Sequence, residues 1–251
     1  MQTVSLLVRA VFAAMIAVGV AGGVLAQQGL VPGPRGTRIW NVPLGTPATE
    51  LPPEFMITAC GTNGGPPSTP LQGFHEFAQC RPEPATGLHE VWFSYDDELE
   101  YHLRAMRAPE HQIMMRRANL LFDMLVVYSI LFDDRGRMQG YRIASDPRED
   151  PLVRIDSDML AALTTIVYGD DGWTCRDLPR IEGEQPLGGT YIKRLCEKTS
   201  GGQHIAMRTH RLLKAGQMAD RGGVPGGNEF DVGVWVEVLA ADIAAKVTPA
   251  R

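Results

Sequence analysis

Five apolar side chains occupy strictly alternate positions in the last third of the chain: Phe230, Val232, Val234, Val236 and Val238. Period-two alternation puts all five on one face of an extended strand, and the β-branched valines favour that backbone state. A single strand can neither satisfy its backbone groups nor cover such a face, so the chain has to build a sheet around it. Two further strands precede it, Gly189–Lys198 and Gln203–Leu213, joined at Ser200-Gly201-Gly202. The 230–238 strand is expected to pack beside this hairpin.

A second hairpin runs from Leu125 to Phe132, reverses at Asp133-Asp134-Arg135-Gly136, and returns from Arg137 to Ser145. Gly136 supplies the positive φ that a tight reversal needs. Val126, Tyr128, Ile130 and Phe132 share one face, with Tyr141 and Ile143 as expected partners. Leu88–Tyr95 reads as another strand, with Val91, Phe93 and Tyr95 on one side. Helices are expected after Asp96 or Asp97, with Leu99, Leu103 and Met106 in register until Pro109. Another is expected after Asp156 or Ser157, with Met159, Leu160, Leu163, Ile166 and Val167 at helical spacing and Gly169 as its stop. Residues 111–122 suit a short third helix. The fold class is therefore α+β: antiparallel sheet with two or three helices.

Residues 27–72 look different, with nine prolines and seven glycines in 46 residues. Proline removes ladder donors and glycine raises the entropy of ordering, so this stretch reads as an extended segment before the α+β domain of residues 73–251. Arg38–Val42 and Phe55-Met56-Ile57 alone have the bulk to dock on a folded body. A division of the domain into two subdomains would fall near residue 170.

The first 26 residues carry one charge, Arg9, followed by an apolar run from Ala10 to Leu25, with Val24 and Ala26 at positions −3 and −1 of a cleavage site. This pattern predicts a signal peptide cut after Ala26. The run is shorter than a membrane-spanning helix needs, and no later segment is long and apolar enough, so no transmembrane segment is expected after cleavage. A periplasmic or secreted protein should use its cysteines in disulfides. Of the three pairings open to Cys60, Cys80, Cys175 and Cys196, the chain-local one, Cys60 with Cys80 and Cys175 with Cys196, closes the shortest loops. Spacings of 20, 95 and 21 residues contain no zinc knuckle, and no metal or other cofactor is expected.

The net charge of −5, without a block of like charges, argues against nucleic acid as a partner. Nucleophile-elbow, phosphate-loop, zinc-protease and Cys-x-x-Cys signatures are absent from the sequence. The catalytic candidates are Asp96, Glu98 and His102, which an acid–base or cation-binding helix start would place on one face. For binding, the candidates are Trp40, in the proline-rich segment, and His204, Arg208 and His210, which alternate along one strand. Lys193 or Glu197 could complete that polar stripe, which suits an anion or a partner protein. The leading expectation is a non-catalytic interaction module of the bacterial envelope. The alternatives are a secreted hydrolase with an acidic/His site, or a small-ligand binder with a pocket involving Trp92, Tyr95 or Tyr128.

Overall fold

A computed structural model describes residues 37–95, 119–121, 124–148, 158–216 and 230–247. The expected signal peptide, the 96–109 helix and most of the 111–122 segment lie outside these residues. Among the described residues ten strands form one antiparallel sheet. In chain order they are β1 (Phe55–Cys60), β2 (Pro70–Leu71), β3 (His89–Tyr95), β4 (Asn119–Leu121), β5 (Met124–Phe132), β6 (Met138–Ser145), β7 (Thr174–Asp177), β8 (Ile192–Ser200), β9 (Gln203–Leu213) and β10 (Phe230–Ala240). Their spatial order is β2-β1-β3-β5-β6-β10-β9-β8-β7, with β4 continuing the β3 side of β5. Two helices, α1 (Asp158–Tyr168) and the single-turn α2 (Ala241–Ala244), and three short 3-10 turns complete the described elements. A mostly antiparallel sheet with few helices fits the α+β class at that coarse level.

The hairpin of β5 and β6 forms at the expected register, with Tyr128 opposite Ile143 and Ile130 opposite Tyr141. Gly136 turns it at φ +70, and a Cβ there would come within 2.7 Å of the Phe77 ring. β10 lies between β9 and β6, joining the two hairpins into one sheet. The main core covers one face: Val91, Phe93, Tyr128, Ile130, Phe132, Tyr141, Ile143, Val234, Val236 and Val238, with Leu160 and Leu163 of α1. Phe93 stacks on Phe55 and Tyr128, and the Tyr95 hydroxyl accepts the Ile39 N–H at 2.8 Å. Both disulfides have the chain-local connectivity: Cys60–Cys80 fastens the end of β1, and Cys175–Cys196 joins directly paired positions of β7 and β8.

Several elements depart from the expectations. Within the Pro/Gly-rich segment, where no central strand is expected, β1 pairs with both β2 and β3, and Ile39, Val42, Phe55 and Leu71 are buried. Of Phe55-Met56-Ile57, Phe55 alone docks, while Met56 and Ile57 are about half exposed, at 46% and 51%. Ile57 has φ +31 inside a bulge, an unusual backbone state for a β-branched residue. Residues 119–121, expected as helix, form β4. Buried Asn119 explains this, since its Oδ1 accepts the Tyr95 N–H at 2.8 Å and its Nδ2 donates to the Phe93 carbonyl at 3.0 Å, carrying the ladder past the end of β3. Ile166 of α1 faces solvent, at 66% exposure, so the apolar stripe of that helix is narrower than its spacing suggests. Past Tyr168, Gly169 turns at φ +81 and the buried Lys198 ammonium donates to the Tyr168 carbonyl, where a cation complements the helix dipole.

β5 is buried at all nine positions, which reflects a strand covered on both faces. Its second face packs Val127 with Ala59 and Trp92, and Leu131 with Leu88, Leu239 and the α2 residues Ile243 and Ala244. The candidate site lies farther along this second face.

Candidate binding face on strands β6, β10, β9 and β8

Directly paired residues of antiparallel strands point to the same side of a sheet, so the register itself gathers a set of side chains. One cross-strand row runs Trp92, Ser129, Arg142, Glu237, Ala206, Glu197. The next runs Ala144, Trp235, Arg208, Leu195, Arg176, and a third holds Gly233, His210 and Lys193. All lie on the face opposite the aromatic core.

At one end is an ionic cluster. Arg142, with a side chain only 4% exposed, donates Nε to Glu237 at 2.8 Å, an Nη to Glu83 at 2.8 Å, and further bonds to both of them; Glu90 lies 3.2 Å away. Burial works against the charge on Arg142, but Glu83, Glu237 and Glu90 outweigh it and hold the guanidinium firmly charged. Glu90 also accepts the backbone N–H groups of Asn63 and Gly64, the latter at 3.2 Å. Gly64 sits at φ +79, and a Cβ on it would lie 2.7 Å from the Trp235 ring, so the loop after β1 lays bare backbone on the indole. The carboxylate oxygens are thus committed to Arg142 and to this loop. Ser129 Oγ and Trp92 Nε1, in the same row as Arg142, are buried without a hydrogen-bond partner among the described residues.

Trp235 divides this cluster from a basic one. The Arg208 guanidinium lies 4.4 Å from the indole centroid and that of Arg142 5.5 Å from it. Among the described residues no carboxylate is within ion-pair distance of Arg208 or His210. Half-buried His210 faces Lys193 on β8 and Gly233 on β10. Burial holds its ring below the ordinary histidine range; Arg208, Lys214 and Lys193 push the same way, against Asp231. Ion pairs flank it, Lys193 with Glu184 at 2.9 Å and Lys214 with Asp231 at 3.7 Å. Burial works against the charge on Glu184, but the Ile181 N–H, Lys193 and the Tyr191 hydroxyl together bring its pKa down to about 2. At the far end of the stripe His204 lies 3.6 Å from Glu197, which also pairs with Arg176 at 2.9 Å.

The structure therefore brings His204, Arg208 and His210 onto one face, in three different environments. Trp40 is half-buried and packs against the main core, with the Arg38 guanidinium 5.5 Å from its ring. Asp96, Glu98 and His102 lie outside the described residues. Two other histidines do not meet: His75 is exposed, while buried His89 contacts the Cys80 carbonyl at 2.6 Å and Asp134 at 3.2 Å. Trp92 points away from Tyr95 and Tyr128, which belong to the opposite face. Among the described residues no group of three metal-ligating side chains gathers, and no described helix is long and apolar enough to cross a membrane.

Sequence reasoning missed Arg142, Glu83, Glu90, Glu237 and Trp235. The signal that could have found them is a charge at the alternate position of an otherwise apolar strand: Arg142 between Tyr141 and Ile143, and Glu237 between Val236 and Val238. No family model, curated protein or solved structure matches the chain.

Proposed function

We propose that this chain is an exported protein that acts by binding another component of the bacterial envelope through the face of β8, β9 and β10. The observation that carries the reading is Arg208: a half-buried guanidinium stacked on Trp235 with no carboxylate in reach among the described residues. Tryptophan, tyrosine and arginine are enriched at the energetic centres of protein interfaces, and a guanidinium stacks readily on an aromatic face. Export rests on the N-terminal apolar run, and two disulfides suit an oxidising compartment.

The test is cross-linking in the exporting cell from a photoreactive residue placed at His204, at the far end of the stripe, and separately at exposed Glu50, away from it. A discrete adduct from position 204 and none from position 50 is the expected result. Equal labelling from both, or none from either, would remove the reading.

A further inference from the structure

Resting on this binding reading, we propose that Arg208, His210 and Lys193 form a carboxylate site, and that the group the partner presents is an Asp or Glu side chain of an acidic segment. Three features of the fold lead there. Arg208 and His210 are two residues apart on β9, so their side chains emerge on the same face in adjacent rows, and Lys193 is the direct cross-strand partner of His210. On the other flank the direct partner of His210 is Gly233, which brings no side chain to that position. Arg208 rests against Trp235 at 4.4 Å; stacking uses the flat side of a guanidinium and leaves its N–H edge for the in-plane, two-bond pairing that a carboxylate makes.

Among the described residues, the charged groups that face His210 are three cations, Lys193 from β8, Arg208 from β9 and Lys214 just beyond it, and one carboxylate, Asp231 from β10. Glu184 ties up Lys193 and Asp231 ties up Lys214, so among the described residues Arg208 is the cation of this group with no carboxylate in reach, and a half-buried setting screens a new pair less than open solvent does. A carboxylate bound here would in turn favour His210 protonation, because an opposite charge within a few ångströms raises a histidine pKa. Binding should therefore take up a proton, and affinity should rise as pH falls through the range between the free and bound midpoints of His210.

The experiment is an NMR titration of the histidine rings in the exported, full-length mature protein, with a short blocked peptide rich in Asp and Glu as one probe and inorganic phosphate as the other. His75, which is exposed and on another element, is the internal control. The expected result is a saturable shift of His210 with the peptide and a rise of its midpoint by about one unit, with His75 unmoved. Arg208→Gln should abolish the shift, and Arg208→Lys, which keeps the charge but not the fork, should weaken it; unchanged histidine spectra without peptide verify that each variant is folded.

No shift at His210, equal shifts at His210 and His75, or a response to phosphate alone would overturn the carboxylate assignment. If the peptide fails while cross-linking from position 204 still yields a discrete adduct, the binding reading stands and this inference falls. If both fail, both fall.

Discussion

Replacing Arg142 with methionine tests whether the ionic cluster clamps the loop after β1 to the sheet. The side chain is 4% exposed and lies in the shared grip of Glu83, Glu90 and Glu237, whose side chains are 16%, 4% and 14% exposed. Removing it leaves three carboxylates facing one another without their common cation. Deleting one partner of a buried ionic group costs about 3–5 kcal/mol, more than the pair itself contributes, because the remaining charge stays desolvated. Against a total stability of about 5–15 kcal/mol this is a large fraction. At about 2–4 °C per kcal/mol for a chain of this size, the melting temperature should fall by roughly 6–20 °C. Urea denaturation followed by Trp fluorescence reads both stability and site, since Trp235 is 5.5 Å from the deleted guanidinium. Adding Glu90→Gln to the Arg142→Met protein should recover about 1–3 kcal/mol, as it removes the most buried unpaired charge while keeping an acceptor for Asn63 and Gly64. A loss below about 1 kcal/mol, or a second substitution that adds to the damage, would refute the reasoning.

Three further outcomes follow from the same geometry. His210 binds its proton less readily folded than unfolded, so the unfolded chain takes up more protons on acidification; its contribution should be fully present above about pH 6.5 and be lost as pH falls toward its lowered folded midpoint, and His210→Gln should flatten that part of the stability–pH curve. Ile57→Asn, which tolerates positive φ, should raise stability by about 1 kcal/mol in thermal melts because the side chain it removes is half exposed; a loss would mean that the bulge conformation is not strained. Non-reducing peptide maps should join Cys60 to Cys80 and Cys175 to Cys196, and replacing the first pair with serine should cost about 3 kcal/mol, since it fastens β1 to the end of the 3-10 turn Phe74–Gln79, whose Phe74 packs on Phe93 and Phe132.

What was legible in the sequence was whatever depended on uninterrupted local periodicity. The β5–β6 hairpin has a turn glycine between two apolar runs, β10 alternates without a break, and α1 ends where Gly169 allows a reversal. β1 was hidden by its own bulge. Phe55 and Cys60 both reach the main core although they are five residues apart, an odd spacing that only the extra residue near Ile57 permits. The prolines that made this stretch look incapable of strand pairing, Pro52, Pro53, Pro66 and Pro67, flank β1 and do not interrupt its ladder. β4 depends on a buried asparagine bridging to β3, contacts 24 and 26 residues apart in sequence that no local pattern announces.

The site divides the same way. His204, Arg208 and His210 could be placed on one face by counting in twos. Arg142 and Glu237 obey that same alternation, but in a two-layered reading the polar positions of a strand belong to solvent. Here the second face is also covered, by the loop after β1, by the segment that carries Glu83, and by α2, so those charges became buried partners. Long-range register, which sets Arg142 opposite Glu237 and Trp235 opposite Arg208, decides who meets whom.

The central claim is that the protein works through the β8–β10 face, and the most direct measurement is complementation of a deletion strain by single variants whose melting temperatures match the wild type. Arg208→Glu reverses the charge at the middle of that face and should abolish function, while Asp96→Ala and His102→Ala should leave it intact. Full function with Arg208→Glu, together with loss of function from Asp96→Ala or His102→Ala in folded protein, would contradict the account and move the activity to the acidic and histidine residues after β3.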